Sequence, residues 1–414
     1  MNSKQRRVVV TGMAGISPLG HDWQTVFSNL QSYQNRIVRM ADWAAYRGLN
    51  TQLAAPAMPF ALPETRYTRK ATRSMGRVAL MACRATELAL ADAQLLEAQN
   101  LLSSGRVGVA YGSSIGSPEA VLDFYQLLLD KSTDGVNATS YIKMMSHTAP
   151  VNIAVFFGLT GRVITTSSAC TSGSQGIGYA YEAIKYGHAD VMIAGGAEEL
   201  SPSDAVVFDT LFSTSTLNET PERTPRPFDR DRDGLVVGEG AGTLILEEYQ
   251  HAVRRGARIY AELVGFGSNC DGKHVTQPHA DTMAQAMQLA LDDAAIPPAR
   301  IGYVNAHGTA TYHGDTAESH ATYQVLGNQV PISSSKSYIG HTLGACGALE
   351  AWISIGMMLE DWFAPTLNLL NIDPVCADLD YLITEGRHIK CEYIMSNNFA
   401  FGGINTSLIF KRME

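Results

Sequence analysis

Short apolar runs alternate along the chain with stretches whose apolar residues recur every three or four positions. RVVVTG, from Arg7, opens the series as a strand. A helical period spans Thr72 to Gln94, with Met75, Val78, Ala82 and Ala85 on one face. RVGVAYG and ADVMIAGG, the latter ending at Gly196, are continuous apolar runs of strand length. The segment STLNETPERTPRPFDRDRDG follows, and its Pro, Thr and charge content predicts a surface excursion. VVGEGAGTLILEEY reads as a glycine loop entering a strand.

After Gly256 the order begins again. IYAELVGFGSN is laid out like RVVVTGMAGIS, and a helical period covers Thr282 to Ala294. RIGYVNAHG parallels RVGVAYGSS. PISSSKSYIGHTLGACGALEAWISI parallels VITTSSACTSGSQGIGYAYEAI, and EYIMSNNFAFGG parallels DVMIAGGAEEL. The chain therefore divides into two diverged halves of one βαβ-type α/β design, residues 1–255 and 256–414. Its strands read as parallel type, with helices on both faces. Ligands should approach the C-terminal ends of those strands.

Composition narrows the function. Lys plus Arg is 31 against 40 Asp plus Glu, a net charge of −9, which argues against nucleic acid as the main partner. The start, MNSKQRRVVVTGMAGI, lacks the long apolar core of a signal peptide. Nowhere does an apolar run reach the ~20 residues of a membrane span. Six cysteines without a CxxC form no disulfide framework, so a reducing, cytoplasmic setting is expected. TGMAGISPLG has the wrong glycine spacing for a dinucleotide loop.

Among the cysteines, Cys170 stands apart. It sits where a strand gives way to a helix rich in small residues, Ser172, Gly173, Ser174, Gly176 and Gly178. A helix N-terminus favours thiolate. The competing reading is a buried packing cysteine. Cys83, Cys270, Cys346, Cys376 and Cys391 lack that setting and read as core or inert surface. In the second half, His307 follows an apolar strand, and Lys336, His341 and Glu350 surround another strand-to-helix turn. Glu350 borders AWISIGMML and needs a buried cation; Lys336 is the candidate. Cys170, His307 and His341 have the residue types of a zinc site but not the spacing. His313 and His320 read as loop or helix surface.

Five motifs then carry a specific resemblance: SSACTSG around Cys170, PFDRDRDGLVVGEGAG at 227–242, NAHGTAT at 305–311, SSKSYIGHTLGACGALE at 334–350 and NNFAFGGINTSL at 397–408. In this order they resemble the elongating β-ketoacyl-acyl carrier protein synthases of the thiolase-like superfamily, over essentially the whole chain. The resemblance implies a duplicated α-β-α-β-α layered fold. It implies that Cys170 accepts an acyl group, that His307 and His341 stabilise the extender's oxyanion, and that Lys336 and Glu350 tune them. Backbone N–H groups of Cys170 and Phe401 would form a second oxyanion hole. Thr309 and Thr311 would hold pantetheine; turn stabilisation is their ordinary alternative. Phe399 and Phe401 would gate the site. Ala400 stands where the usual FGFGG has glycine, and Ile404 where threonine is common, which predicts a more restricted, more apolar gate.

The resemblance also implies a partner, an acyl carrier protein bearing acyl and malonyl groups. Phosphopantetheine travels on that partner, so no tightly bound cofactor and no metal are required. Arg69, Lys70 and Arg73, in the basic stretch 67–77, match positions that dock it. Ile115 matches a position lining the acyl tunnel, and Met144, Met145, Val151, Ile153 and Phe156 are further lining candidates. A homodimer is implied, with a heterodimer on an inactive chain-length-factor subunit as the alternative. Two other functions compete with housekeeping elongation: a specialised polyene or polyketide synthase, and a non-catalytic, tunnel-forming partner. Retained Cys170, His307, Lys336 and His341 argue against the last.

Overall fold

The computed structural model describes residues 5–413. Met1 to Lys4, the first residues of the stretch read for a leader, lie outside it. The first half runs β1 (Val8–Ile16), α1 (Arg77–Asp92), β2 (Val107–Gly112), α2 (Thr148–Phe157), β3 (Val163–Thr165), α3 (Ser172–Lys185), β4 (Val191–Glu198) and β5 (Gly240–Glu248). The second half runs β6 (Ala261–Cys270), α4 (Ala280–Ala294), β7 (Ile301–Asn305), α5 (Tyr312–Leu326), β8 (Pro331–Ser333), α6 (Cys346–Leu359), β9 (Tyr393–Ala400) and β10 (Ile404–Arg412).

These strands hydrogen-bond in the order β8-β7-β9-β10-β6-β1-β5-β4-β2-β3. Read outward from the centre, β1-β5-β4-β2-β3 mirrors β6-β10-β9-β7-β8 element for element. The repeat seen in the sequence is thus a repeat of topology. Its seam is a short antiparallel contact, Val8 opposite Leu263, Val9 opposite Glu262 and Val10 opposite Ala261. The strands are mixed rather than all parallel. β2 pairs in parallel with β3 and β4, as β7 does with β8 and β9, whereas β5 and β10 run antiparallel to their neighbours.

Helices complete five layers. α1 and α2 cover the outer face of the first half, α4 and α5 that of the second, and α3 and α6 pack between the two. Small residues make the central layer dense. A Cβ on Gly176 would lie 2.7 Å from the Gly195 carbonyl oxygen, and one on Gly173 would lie 2.9 Å from the Ala348 backbone nitrogen. α3 therefore presses directly on β4 and on α6, and glycine is the residue that permits it.

Three further sequence expectations change. The helix expected over Thr72–Gln94 is two pieces, a turn at Arg69–Thr72 and α1 from Arg77. Gly76 between them is extended, and a Cβ there would meet Ser117 at 2.4 Å. α4 begins at Ala280, ahead of the expected Thr282. The charged excursion 215–234 lacks long regular structure, as its composition suggests, yet it is not all surface. Phe228 is fully buried, its N–H donating to Asp315 at 2.7 Å, and the buried Arg232 guanidinium donates to Asp373 at 2.6 Å. A phenylalanine and a paired arginine inside polar sequence tie the loop into the core.

Candidate active site

Equivalent ends of the two halves meet at one point. The chain leaves β3 toward Cys170, β7 toward His307, β8 toward Lys336 and His341, and β9 toward Phe401, each from a strand C-terminus. Cys170 lies in a tight 3₁₀ turn, Ala169–Thr171, directly before α3. Ala169 is held at φ +50, a left-handed conformation that costs an alanine about 1–2 kcal/mol. The second half repeats the device, because Leu343 opens the turn before α6 at φ +46. Backbone strain is thus spent at both turns that face each other across the seam.

The Cys170 sulfur lies 3.0 Å from His341 Nε2. The His341 and His307 rings sit edge to face, centroids 5.1 Å apart. One ligand-type atom from each of the three residues falls within 4.8 Å of the others, so Cys170, His307 and His341 form a single buried cluster. The spacing would suit a metal, but the Lys336 ammonium acts on both rings and opposes an added cation. Burial, then Lys336, holds both imidazoles well below their ordinary pKa, so each is neutral and keeps one N–H.

Cys170 departs from the sequence expectation. Burial pushes its thiol up to about 11, and the Lys336 charge and the N–H groups of Phe401 and Cys170 only partly offset this. The helix N-terminus does not make a resting thiolate, because desolvation outweighs it. Those two N–H groups nonetheless face the sulfur.

Behind the rings lies a polar network. Lys336 and Glu350 form a fully buried ion pair. Burial disfavours the Lys336 ammonium, but Glu350 outweighs that and holds it above its ordinary value. Asn398 on β9 donates to Glu350 Oε2 at 2.7 Å, with the same nitrogen 3.5 Å from His307 Nδ1 and 3.6 Å from Cys346 Sγ. Cys346, read from sequence as inert, donates through sulfur to the Cys170 carbonyl oxygen at 3.1 Å. Glu318 on α5 accepts the backbone N–H groups of His307 and Gly308, both at 2.7 Å, and fixes that loop. Asn398, Cys346 and Glu318 all escaped the sequence reading. Glu318 sits eleven residues past His307 in a helix whose buried face is mostly polar, and that was its one visible signal.

A cavity of about 470 Å³ opens onto Cys170, His307 and His341. Thr309 and Thr311 line it, their hydroxyls 2.9 Å apart, and the exposed His313 stands at its mouth. Phe399 and Phe401 line it as well. Phe399 is 6.2 Å from His307, and Phe401 packs on Phe208 at 5.1 Å. Ala400 does not take positive φ. It ends β9 in register with Ile404 and packs with Ile404 beside Cys170 and Cys346, so alanine fits this position without backbone strain.

Not every expected residue converges. Ile115 is 40% exposed, and neither it nor Met144 nor Met145 lines this cavity. Ile153 is core against α1, and Phe156 stacks on Tyr67 at 4.8 Å. Arg69, Lys70 and Arg73 are exposed on or beside a four-residue helix and make no ion pair among the described residues.

Comparison with known proteins agrees with this geometry. Residues 5–252 match the β-ketoacyl synthase N-terminal domain, and residues 260–370 match the β-ketoacyl synthase C-terminal domain. The chain is 40% identical to the 3-oxoacyl-[acyl-carrier-protein] synthase 2 of Vibrio cholerae, over 99% of this chain and all of that one. A crystal structure of a β-ketoacyl synthase from Burkholderia phymatum is 58% identical, with TM-score 0.97 over 99% of this chain and all of that one. The ishigamide ketosynthase/chain length factor is 28% identical, with TM-score 0.89 over the same shares. A thiol, two neutral imidazoles and a buried lysine–glutamate pair, gathered from mirrored halves, place this chain in the β-ketoacyl synthase family.

Proposed function

We propose that the chain condenses a Cys170-bound acyl group with a malonyl thioester on an acyl carrier protein, releasing CO2. The observation that carries the reading is the 3.0 Å approach of His341 Nε2 to the Cys170 sulfur, in a cavity that also presents His307.

In the first stage the Cys170 sulfur attacks the acyl thioester of the carrier protein. A carbon–sulfur bond forms to Cys170, the bond to pantetheine breaks, and the thiol proton ends on the pantetheine sulfur. Because the resting thiol is protonated, His341 Nε2 is needed to accept its hydrogen bond as charge builds. The N–H groups of Cys170 and Phe401 hold the tetrahedral oxyanion.

In the second stage malonyl thioester occupies the same cavity, its pantetheine arm along Thr309 and Thr311. The bond to the carboxylate breaks, CO2 leaves, and the electron pair becomes an enolate on the thioester. Two neutral imidazole N–H groups receive that oxygen. For His307, Asn398 faces Nδ1 and leaves Nε2 to carry the hydrogen. For His341, acylation removes the thiol donor, which favours the tautomer with hydrogen on Nε2. The enolate carbon then attacks the acyl carbonyl, and the Cys170 sulfur departs and takes a proton from solvent. Lys336 and Glu350 stay charged and fixed throughout. The phosphopantetheine belongs to the carrier protein, and no resident cofactor enters these steps.

The fold divides at residues 255 and 256, each half contributing part of the chemistry. The working unit is a dimer. What supports it is an open sheet edge at β3, where Val163 is 47% exposed, together with exposed apolar side chains at Leu122, Leu128, Leu129 and Val155. Arg69, Lys70 and Arg73 give an acidic carrier protein a docking patch. Among the described residues no helix is long and apolar enough to cross a membrane.

Intact-mass analysis tests the reading. Acyl-carrier protein should add one acyl mass to Cys170, and malonyl-carrier protein should then remove it. Cys170→Ala should show neither change while retaining its fold. Turnover by that variant at the wild-type rate would end the proposal.

A further inference from the structure

Behind the gate lie two buried carboxyl groups that the condensation does not use. Glu198 ends β4 and is 1% exposed. Its Oε2 accepts the backbone N–H groups of Ser114 and Gly344, both at 2.9 Å, and its Oε1 has no partner. Asp204 lies on the helix Pro202–Asp209, is 7% exposed, and its Oδ2 also has no partner. Each is more than nine-tenths buried, and each aims one oxygen at nothing.

Their position locates the ligand that would satisfy them. Asp204 and Phe208 are four residues apart on one helix and share a face. Phe208 lines the Cys170 cavity, packs on Phe401, and lies 6.4 Å from His341. Asp204 is thus one helical turn from the Phe208–Phe401 pair that lines the cavity. Glu198 grips the Ser114–Ile115 turn on one side and the Gly344 turn, two residues from Cys346, on the other. An acyl chain on Cys170 that follows the Phe208 face past the Phe208–Phe401 pair would reach Asp204, with Glu198 close enough for its charge to act on that acid.

A saturated chain leaves both orphan oxygens stranded, at the full desolvation cost of each. Burial, reinforced by the Glu198 charge, pushes Asp204 up to about 8, and burial pushes Glu198 up to about 7. At neutral pH Asp204 therefore carries a proton to donate, and each acid keeps an acceptor oxygen. A hydroxyl, which both donates and accepts, matches that pair.

We infer that Glu198 and Asp204 form a polar subsite in the acyl channel that selects chains bearing a hydroxyl group over their unsubstituted counterparts. The inference rests on the acylation of Cys170 proposed above. Asp204 touches no reacting atom; it acts on specificity alone.

The test is the rate of Cys170 acylation by straight-chain acyl-pantetheine thioesters, each paired with its terminally hydroxylated counterpart, across a range of chain lengths. At one chain length the hydroxylated member should react about 10- to 100-fold faster, as a satisfied buried hydrogen bond requires. Asp204→Leu should cancel or invert that ratio by accelerating the unsubstituted chain. Asp204→Asn, which keeps size and hydrogen bonding, should retain much of it and guards against a folding defect in the leucine variant. Equal ratios in wild type and Asp204→Leu, or a wild-type preference for unsubstituted chains at every length, would overturn the subsite. Failure of every thioester to label Cys170 would instead overturn the proposed function.

Discussion

Replacing Glu350 by Gln removes one charge from a pair that is 0–1% exposed and leaves the Lys336 ammonium buried beside a neutral amide. Breaking such a pair costs about 3–5 kcal/mol. An upper bound follows independently. The ammonium can escape by losing its proton, and at pH 7 that costs a lysine of ordinary pKa about 4.6 kcal/mol. A loss of about 3–4.5 kcal/mol is therefore expected in urea unfolding at pH 7. The pH dependence separates this cause from a simple packing loss. In Glu350→Gln the folded-state pKa of Lys336 falls below its unfolded value. Between those two values the unfolded chain binds more protons, so stability rises with pH and the deficit shrinks toward pH 10. Wild-type Lys336 is held above its ordinary value and adds no such rise in that range. Adding Lys336→Met to a Glu350→Leu change should recover most of the stability while leaving decarboxylation impaired. A Glu350→Gln protein as stable as wild type at pH 7, or one whose deficit does not shrink with pH, would refute the buried-charge account.

Three further outcomes follow from the site. Alkylation of Cys170 by iodoacetamide should quicken about tenfold per pH unit from 7 to 10, given a thiol near 11, whereas a plateau near neutrality would mean a resting thiolate. Asn398→Ala should slow malonyl decarboxylation by about 100-fold through loss of His307 alignment, with Cys170 acylation much less affected; equal loss in both steps would point to general disruption. Arg69→Glu combined with Arg73→Glu should raise KM for carrier-protein thioesters by about tenfold and leave KM for free pantetheine thioesters unchanged, and the difference should fade in high salt.

Much of this was legible in the sequence because the architecture repeats. Paired motifs such as RVGVAYGSS and RIGYVNAHG occupy mirrored strands, and apolar continuity marked those strands without any tertiary information. Cys170, His307, Lys336, His341 and Glu350 stood out because each puts a reactive or charged group beside glycine or apolar sequence. What stayed hidden depends on distance across the fold. Cys346 looks like any small core residue until α6 is laid against the Cys170 turn. Asn398 is one of two adjacent asparagines in a strand, and only side-chain alternation and the approach of α6 select it. The expected thiolate failed for a related reason, since a helix terminus is local and visible, whereas desolvation sums over every element packed around the sulfur. The loop 215–234 misled by composition, because one Phe228 and one Arg232 suffice to anchor part of it in the core.

The mirror arrangement of the strands has a mechanical consequence. The Cys170 sulfur belongs to one half, while both rings and the ammonium belong to the other, and they meet across α3 and α6. A small slide of one half over the other would part sulfur from nitrogen and break the short β1–β6 ladder, while the ladders within each half stayed intact. Competence is therefore set by how tightly the glycine-lined helices lock together, and a loosened variant would look folded to spectroscopy and yet do no work.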